Sequence, residues 1–357
     1  MTITGYIDEF YENPTDEEKT EISIFLENLG LDYEENVEMT LKVVEQSTRE
    51  IVGTGSIAGK VIKCMAIDPN HRGLGLSAHI LSLLVKEQFN RGKRNIFIFT
   101  SPKNIEETTG NVFTGFNVIA KTDEIVLLEM GTSNLENYLD DLKFKSRGIL
   151  EQVEGPIGTI VVNCNPMTLG HQYLIETAAK ECAFLFVFVV TEDRSHFPTN
   201  IRIRLVREGT SHLENVLVLE GGDYIISPAT FPRYFMKEFD NISLAQARLD
   251  VTLFAEQIAP VLGINRRYVG EEPYCMVTKS YNQAMQEILI PKGIDLRIVP
   301  RKEFKGEPIS ASKVRDLLEK EKFNEIIDLV PPTTYNFLIS KEAKPIIEHI
   351  KRIHTRH

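Results

Sequence analysis

Thr168, Gly170 and His171 fall within four consecutive residues of NCNPMTLGHQYLIE (163–176), just behind Asn163, Asn165 and Pro166. The apolar run GTIVVN (158–163) precedes them, and residues 170–181 carry helical periodicity, so the segment is expected to be a strand, a turn and a helix. A helix start presents unpaired N–H groups and the positive end of the dipole, where a phosphate can sit. Gly170 lets such a phosphate come close to the backbone. Thr168 and His171, three positions apart, can converge on one anion, and a histidine donates a hydrogen bond without carrying a permanent charge. The competing reading is a structural loop with a hydrogen-bonded histidine at a helix start.

A second group lies at ISASKVR (309–315). Ser310 is placed to cap a helix whose first turn carries Ser312, Lys313 and Arg315. Cations at a helix start oppose the dipole, which makes sense if an anion is held there. Arginine offers a planar fork for phosphate oxygens. A plain capped helix is the alternative. Between the two groups, EDRSHFPTNIRIRLVREGT (192–210) concentrates Arg194, Arg202, Arg204 and Arg207. Arg204 and Arg207 share a helix face and Arg202 projects elsewhere, which leaves open which of them meets an anion. Glu271, in VGEEP (269–273), can contact a nucleotide base or ribose, or Mg2+, or simply solvent. Arg301 ends VPR (299–301) and is a further phosphate candidate. GGDYIISPATFP (221–232) is either a substrate loop or a structured turn. In the first half, Arg72, Gly73, Gly75 and Ser77 form a glycine-rich turn between a strand and a helix.

Positioning these groups requires at least two domains, as 357 residues allow. The first half is expected to be α+β: a helix over 16–29, strands over 37–46, 50–57 and 61–68, the glycine turn, a helix over 76–91 and a strand over 95–100. In the second half, apolar strands at 158–163, 183–190, 216–220, 266–270 and 296–300 alternate with helical stretches. That pattern implies an α/β fold with a doubly wound parallel sheet, which binds ligands at the carboxyl ends of its strands. A linker is expected near 145–156, dividing the chain into domains 1–147 and 148–357. The net charge of −11 argues against a nucleic-acid partner but leaves room for a local cationic pocket. No apolar run reaches the length of a membrane span. The N-terminus lacks a signal pattern, and the four cysteines show no metal or CxxC spacing, so a cytoplasmic enzyme with reduced thiols is expected. Cys164 is read as a packing residue.

Thr168-Leu169-Gly170-His171 resembles the T/HxGH signature of the nucleotidylyltransferase superfamily, and ISASKVR resembles its ISxxxxR motif. The resemblance implies a Rossmann-like domain in which Thr168, His171 and Arg202 are catalytic. It implies ATP contacts at Asn163, Asn165, Pro166, Gly170, Glu271 and Arg301, with Ser310, Ser312 and Arg315 on the leaving pyrophosphate and Mg2+ alongside. Arg72-Gly73-Leu74-Gly75-Leu76-Ser77 resembles the pyrophosphate loop of GCN5-related N-acetyltransferases, except that Ser77 stands where Gly or Ala is usual. This implies an acetyltransferase-like domain, with CoA or acetyl-CoA at Arg72, Gly73, Gly75 and Ser77.

The pairing of the two domains is similar to the citrate lyase ligase family. That likeness implies ATP-dependent activation of acetate to acetyl-adenylate. The acetyl group then passes to the thiol of the phosphoribosyl-dephospho-CoA group on the citrate lyase acyl carrier subunit, which activates the lyase. Two other functions share these motifs: a nucleotidylyltransferase making a dinucleotide cofactor, and an acetyl-CoA-dependent N-acetyltransferase.

Overall fold

A computed structural model describes residues 3–34, 36–107, 112–191, 195–231, 241–271 and 276–354. The chain divides into two compact units, Met1–Asn137 and Tyr138–His357. The division falls inside the helix Leu135–Ser146, where the sequence reading set it at 147/148.

The first unit is built on a seven-stranded sheet: β1 (Tyr6–Glu12), β2 (Met39–Glu45), β3 (Ile51–Ala58), β4 (Val61–Ile67), β5 (Asn95–Thr100), β6 (Asn117–Lys121) and β7 (Val126–Gly131). The spatial order is β1-β2-β3-β4-β5-β7-β6. Neighbours are antiparallel except β4 and β5, which run parallel and pair only at Val61↔Phe97 and Ile62↔Ile98. Beyond those two pairs the strands part. Helices α1 (Asp16–Glu27), α2 (Leu76–Asn90) and α3 (Pro102–Glu107) complete the unit. The meander, glycine turn, helix and strand follow the expected order. β1, YIDEFYE, was not anticipated, because it is a half-exposed acidic edge strand without an apolar face. α2 lies close on β3 because Gly53 and Gly55 leave space for it. A Cβ at Gly55 would come within 2.6 Å of Leu84 Cδ1 and 2.8 Å of Ile80 Cγ2.

Helix α4 (Leu135–Ser146) leads to the second unit. Its sheet holds β8 (Ile157–Val162), β9 (Phe184–Val189), β10 (Val216–Glu220), β11 (Arg266–Gly270) and β12 (Asp295–Val299) in the order β10-β9-β8-β11-β12. All of these pairings are parallel. The order reverses beside β8, so a crevice opens where the chain leaves β8 and β11. β9, FLFVFV, is buried along its whole length, as a strand covered on both faces must be. The helices are α5 (Leu169–Glu181), α6 (Thr199–Gly209), α7 (Asn241–Leu253), which continues through a π-helical turn at Phe254–Ile258 into α8 (Ala259–Val261), α9 (Met276–Leu289), α10 (Ala311–Glu319), α11 (Phe323–Ile326), α12 (Pro332–Leu338) and α13 (Lys344–His354). A short hairpin, β13 (Glu303–Phe304) with β14 (Glu307–Pro308), precedes α10. One face of the sheet, through Ile160, Val162, Leu185, Val187 and Tyr268, packs into a core shared with α5, α6 and α10 to α13. No described helix is long and apolar enough to cross a membrane.

Candidate active site at the carboxyl edge of the parallel sheet

The chain leaves β8 through Asn163, Cys164 and a cis Asn165-Pro166 bond, and enters α5 at Thr168. Thr168 is buried and caps α5: its Oγ1 accepts the His171 N–H at 3.4 Å. The Thr168 N–H in turn donates to His171 Nδ1 at 3.0 Å. That N–H can only donate, so Nδ1 must be unprotonated, and the neutral ring carries its hydrogen on Nε2. A reciprocal cap therefore fixes the tautomer and orientation of His171. Burial, and then the neighbouring Arg301 guanidinium, push the imidazole down to about 4. His171 is thus a neutral, oriented Nε2–H donor at physiological pH.

The two motifs meet. A Cβ on Gly170 would lie 3.1 Å from the Ile309 carbonyl oxygen, so the absent side chain lets the start of α5 close on the residue before α10. Ser310 caps α10 by accepting the Lys313 N–H at 3.2 Å. Arg315 reaches back to donate to the Asn165 carbonyl at 2.6 Å and to Ser312 Oγ at 3.0 Å. Arg301 follows β12, donates from Nε to the Glu271 carbonyl at 2.7 Å, and is close enough to His171 to act on its charge. Two helix starts and two guanidinium groups therefore surround one edge of the sheet, a setting for a polyanion.

The expected residues divide by what they touch. His171, Gly170, Arg301, Ser310, Ser312 and Arg315 gather there with Asn165. Asn165 Oδ1 accepts the Phe197 N–H at 3.0 Å. Asn163 Oδ1 accepts from Ser195 Oγ at 3.1 Å and from Arg202 at 2.8 Å. Arg202 differs from its expected role. It is fully buried, and its guanidinium donates to the carbonyls of Phe197, Asn163 and Val190 and to Thr199 Oγ1. Those bonds tie the turns after β8 and β9 to α6. Arg204 pairs with Glu342 and lies over the Phe337 ring, while Arg207 is exposed. Arg194, Glu272 and Pro273 lie outside the described residues. Glu271 is exposed and enters through its carbonyl. Cys164 is buried in the core, with its thiol pushed up by that burial. Sequence reasoning missed the Leu169 N–H to Leu329 carbonyl bond, 2.9 Å, which secures the start of α5. A backbone contact across that separation leaves no side-chain signal.

The glycine turn of the first unit is laid out differently. Arg72, Gly73 and Gly75 are exposed and Ser77 is partly buried. Gly73 and Gly75 have φ of 78° and 80°, and a Cβ on either would point into open space. Gly75 stands at the N-cap of α2 without a side-chain cap bond.

The model of the citrate lyase ligase C-terminal domain matches residues 157–338. The citrate (pro-3S)-lyase ligase of Klebsiella pneumoniae is 38% identical over 323 residues, 89% of this chain and 92% of that protein. This chain belongs to the citrate lyase ligase family. The citrate (pro-3S)-lyase ligase of Escherichia coli (strain K12) is 36% identical over 339 residues, covering 93% of this chain and 92% of that protein. That of Haemophilus influenzae is 37% identical over 325 residues, covering 89% and 94%. As a member of this ligase family the chain is an enzyme.

Proposed function

We propose that the chain uses ATP and acetate to acetylate the thiol of the prosthetic group on the citrate lyase acyl carrier subunit, releasing AMP and pyrophosphate and activating the lyase. The observation that carries this reading is the neutral, cap-oriented His171 beside Arg301, at the point where Gly170 brings the starts of α5 and α10 together. An acetate oxygen attacks the α-phosphorus, the bond to pyrophosphate breaks, and acetyl-adenylate forms. Such a transfer needs positioning and charge stabilisation more than covalent help from the protein. His171 Nε2–H donates to a phosphoryl oxygen as charge builds there, with Thr168 fixing the ring. Arg301 and the Arg315 fork neutralise the phosphate chain, and Ser310, Ser312 and the N–H groups of α10 receive the leaving pyrophosphate. Arg202, whose donors are held by the protein, positions Asn163 and the two turns and does not grip phosphate. In the second step the carrier thiol attacks the acetyl carbonyl and AMP leaves.

Among the described residues no three His, Cys, Asp or Glu side chains gather into a metal-binding group. A Mg2+ ion accompanying ATP would take its oxygens chiefly from phosphates and water, as this ion usually does. The first unit is proposed to bind CoA or acetyl-CoA at Arg72, Gly73, Gly75 and Ser77, the free N–H groups at the start of α2 facing the diphosphate. The deciding experiment supplies ATP, acetate and deacetylated carrier and measures AMP. Acetate- and carrier-dependent AMP formation is expected. Turnover with a phosphate ester in place of acetate would instead mark a dinucleotide-forming enzyme.

A further inference from the structure

The segment GGDYIISPATF (221–231), which as a sequence is either a substrate loop or a structured turn, has no part in the reaction above. It leaves the carboxyl end of β10 and is tied to the exits of the neighbouring strands. The Gly221 N–H donates to the Val189 carbonyl at 2.9 Å, and Thr191 Oγ1 donates to the Gly222 carbonyl at 2.7 Å. Val190, between those two, donates its N–H to the Val162 carbonyl of β8 at 2.9 Å and accepts from Arg202. The loop therefore belongs to the same edge as Asn163 and His171. Ser227 folds it on itself: its hydroxyl donates to the Asp223 carbonyl at 2.6 Å and accepts the N–H groups of Ala229 and Thr230.

A buried acid on α7 holds this loop. Asp250 is fully buried, and its Oδ1 accepts the Ile226 N–H at 2.8 Å. Its Oδ2 accepts the Tyr281 hydroxyl of α9 at 2.7 Å, and Thr230 donates to it as well. Ile226 stands at φ 45°, where a β-branched residue is strained, so the bond to its N–H keeps the loop in a shape it would not hold alone. Phe231 stacks on the Tyr281 ring at 5.8 Å. Arg267, buried on β11, acts on the Asp250 charge through space. Burial disfavours a carboxylate, and three donors and a cation offset that cost here in favour of one loop shape.

The loop lies on the face of the sheet from which the acid must attack. Tyr268 packs into the core that holds α5 and α10. Arg267, its neighbour on β11, therefore points to the other face, where the Phe254 ring after α7 lies 4.9 Å from the guanidinium Cζ. Asp250 and Tyr281 secure the loop to α7 and α9 on that second face. In the proposed reaction the pyrophosphate leaves toward the start of α10, on the first face. The attacking and leaving oxygens stand roughly in line across the phosphorus, so the acid approaches from the second. We propose that loop 221–231 walls the acid side of the reaction centre and sets how large a monocarboxylic acid is accepted, with Asp250 as the residue that positions it. This inference rests on the ligase reading.

The test measures ATP–pyrophosphate exchange by the full-length protein with acetate and with propionate. The ratio of the two kcat/KM values does not depend on how much of a variant is folded, so loss of stability alone leaves it unmoved. Tyr281→Phe removes only the hydroxyl that donates to Asp250 and should raise the propionate-to-acetate ratio at least threefold. Asp250→Asn should raise that ratio at least tenfold, and raise KM for acetate at least tenfold while KM for ATP stays within twofold. If Asp250→Asn does not fold, Tyr281→Phe decides the matter. A loop that serves stability alone predicts wild-type ratios in both variants with a lower melting temperature, and that result overturns the inference. Wild-type protein that exchanges with neither acid would sink the ligase reading and this inference with it, whereas exchange with unchanged ratios sinks the inference alone.

Discussion

His171 shows how a residue type acquires its chemistry from a backbone contact. The Thr168 N–H occupies Nδ1 and leaves the hydrogen on Nε2, and burial with Arg301 holds the ring near pKa 4. His171→Ala should therefore reduce acetate-dependent ATP–pyrophosphate exchange by about 10²–10³-fold, the loss typical of one oriented donor to a developing charge, with little change in melting temperature. Wild-type exchange in that variant would refute the assignment. Because the ring is already neutral, exchange should show no histidine limb between pH 6 and 8. The stability consequence has a definite sign. Between about 4 and 6.5 the unfolded chain binds the proton that the folded ring refuses, so the fold loses stability as pH falls through that window. The loss approaches about 3 kcal/mol at the full shift and is absent above it; a pH series of urea midpoints on wild type and His171→Ala reads the difference. Arg202 and Arg315 separate two uses of one residue type. Arg202→Ala orphans several carbonyls in a buried site and should cost more than about 3 kcal/mol of stability. Arg315→Ala should leave the melting temperature nearly unchanged and raise KM for ATP. Helical spacing located these arginines, but it could not reveal that Arg202 turns inward, because its acceptors are carbonyls of the turns after β8 and β9.

At the scale of elements, the site depends on α5 and α10 starting side by side. Where they approach, Gly170 leaves free the space next to the Ile309 carbonyl oxygen that a Cβ would crowd. Gly170→Ala puts a methyl group 3.1 Å from that oxygen, and a backbone oxygen cannot swing away as a side chain can. The variant should fold, with the two starts pushed apart by a few tenths of an ångström and KM for ATP raised severalfold. Calorimetry alongside the kinetics checks that the fold survives. Much of this arrangement was legible in the sequence for physical reasons. Strand β9 is apolar and buried on both faces, and the two motif helices begin with their own caps, Thr168 and Ser310. β1 was not legible, because acidic residues mask a strand at the edge of the sheet, paired among the described residues with β2.

At the scale of the whole molecule, the net charge of −11 is compatible with the proposed anion sites because cations stand beside them, Arg301 and Arg315 in one unit and Arg72 in the other. Charge of that sign disfavours a nucleic-acid partner without opposing a buried phosphate site, since screening confines surface repulsion to about 10 Å at ordinary ionic strength. The two proposed anion sites differ in design, a capped histidine helix in one unit and a bare glycine turn in the other, so their contributions should separate. In the proposed reaction, ATP–pyrophosphate exchange would need only acetate and the second unit's site, whereas net AMP release would also need the carrier thiol. Gly73→Asp places a carboxylate where a diphosphate would lie, at a backbone φ of 78° that aspartate tolerates better than most residues. It should abolish CoA binding measured by titration calorimetry while leaving acetate-dependent exchange within twofold of wild type. A wild-type protein that binds no CoA would remove the proposed role of the glycine turn and leave the adenylation site untouched. Loss of exchange in Gly73→Asp would mean that the two units do not act separately.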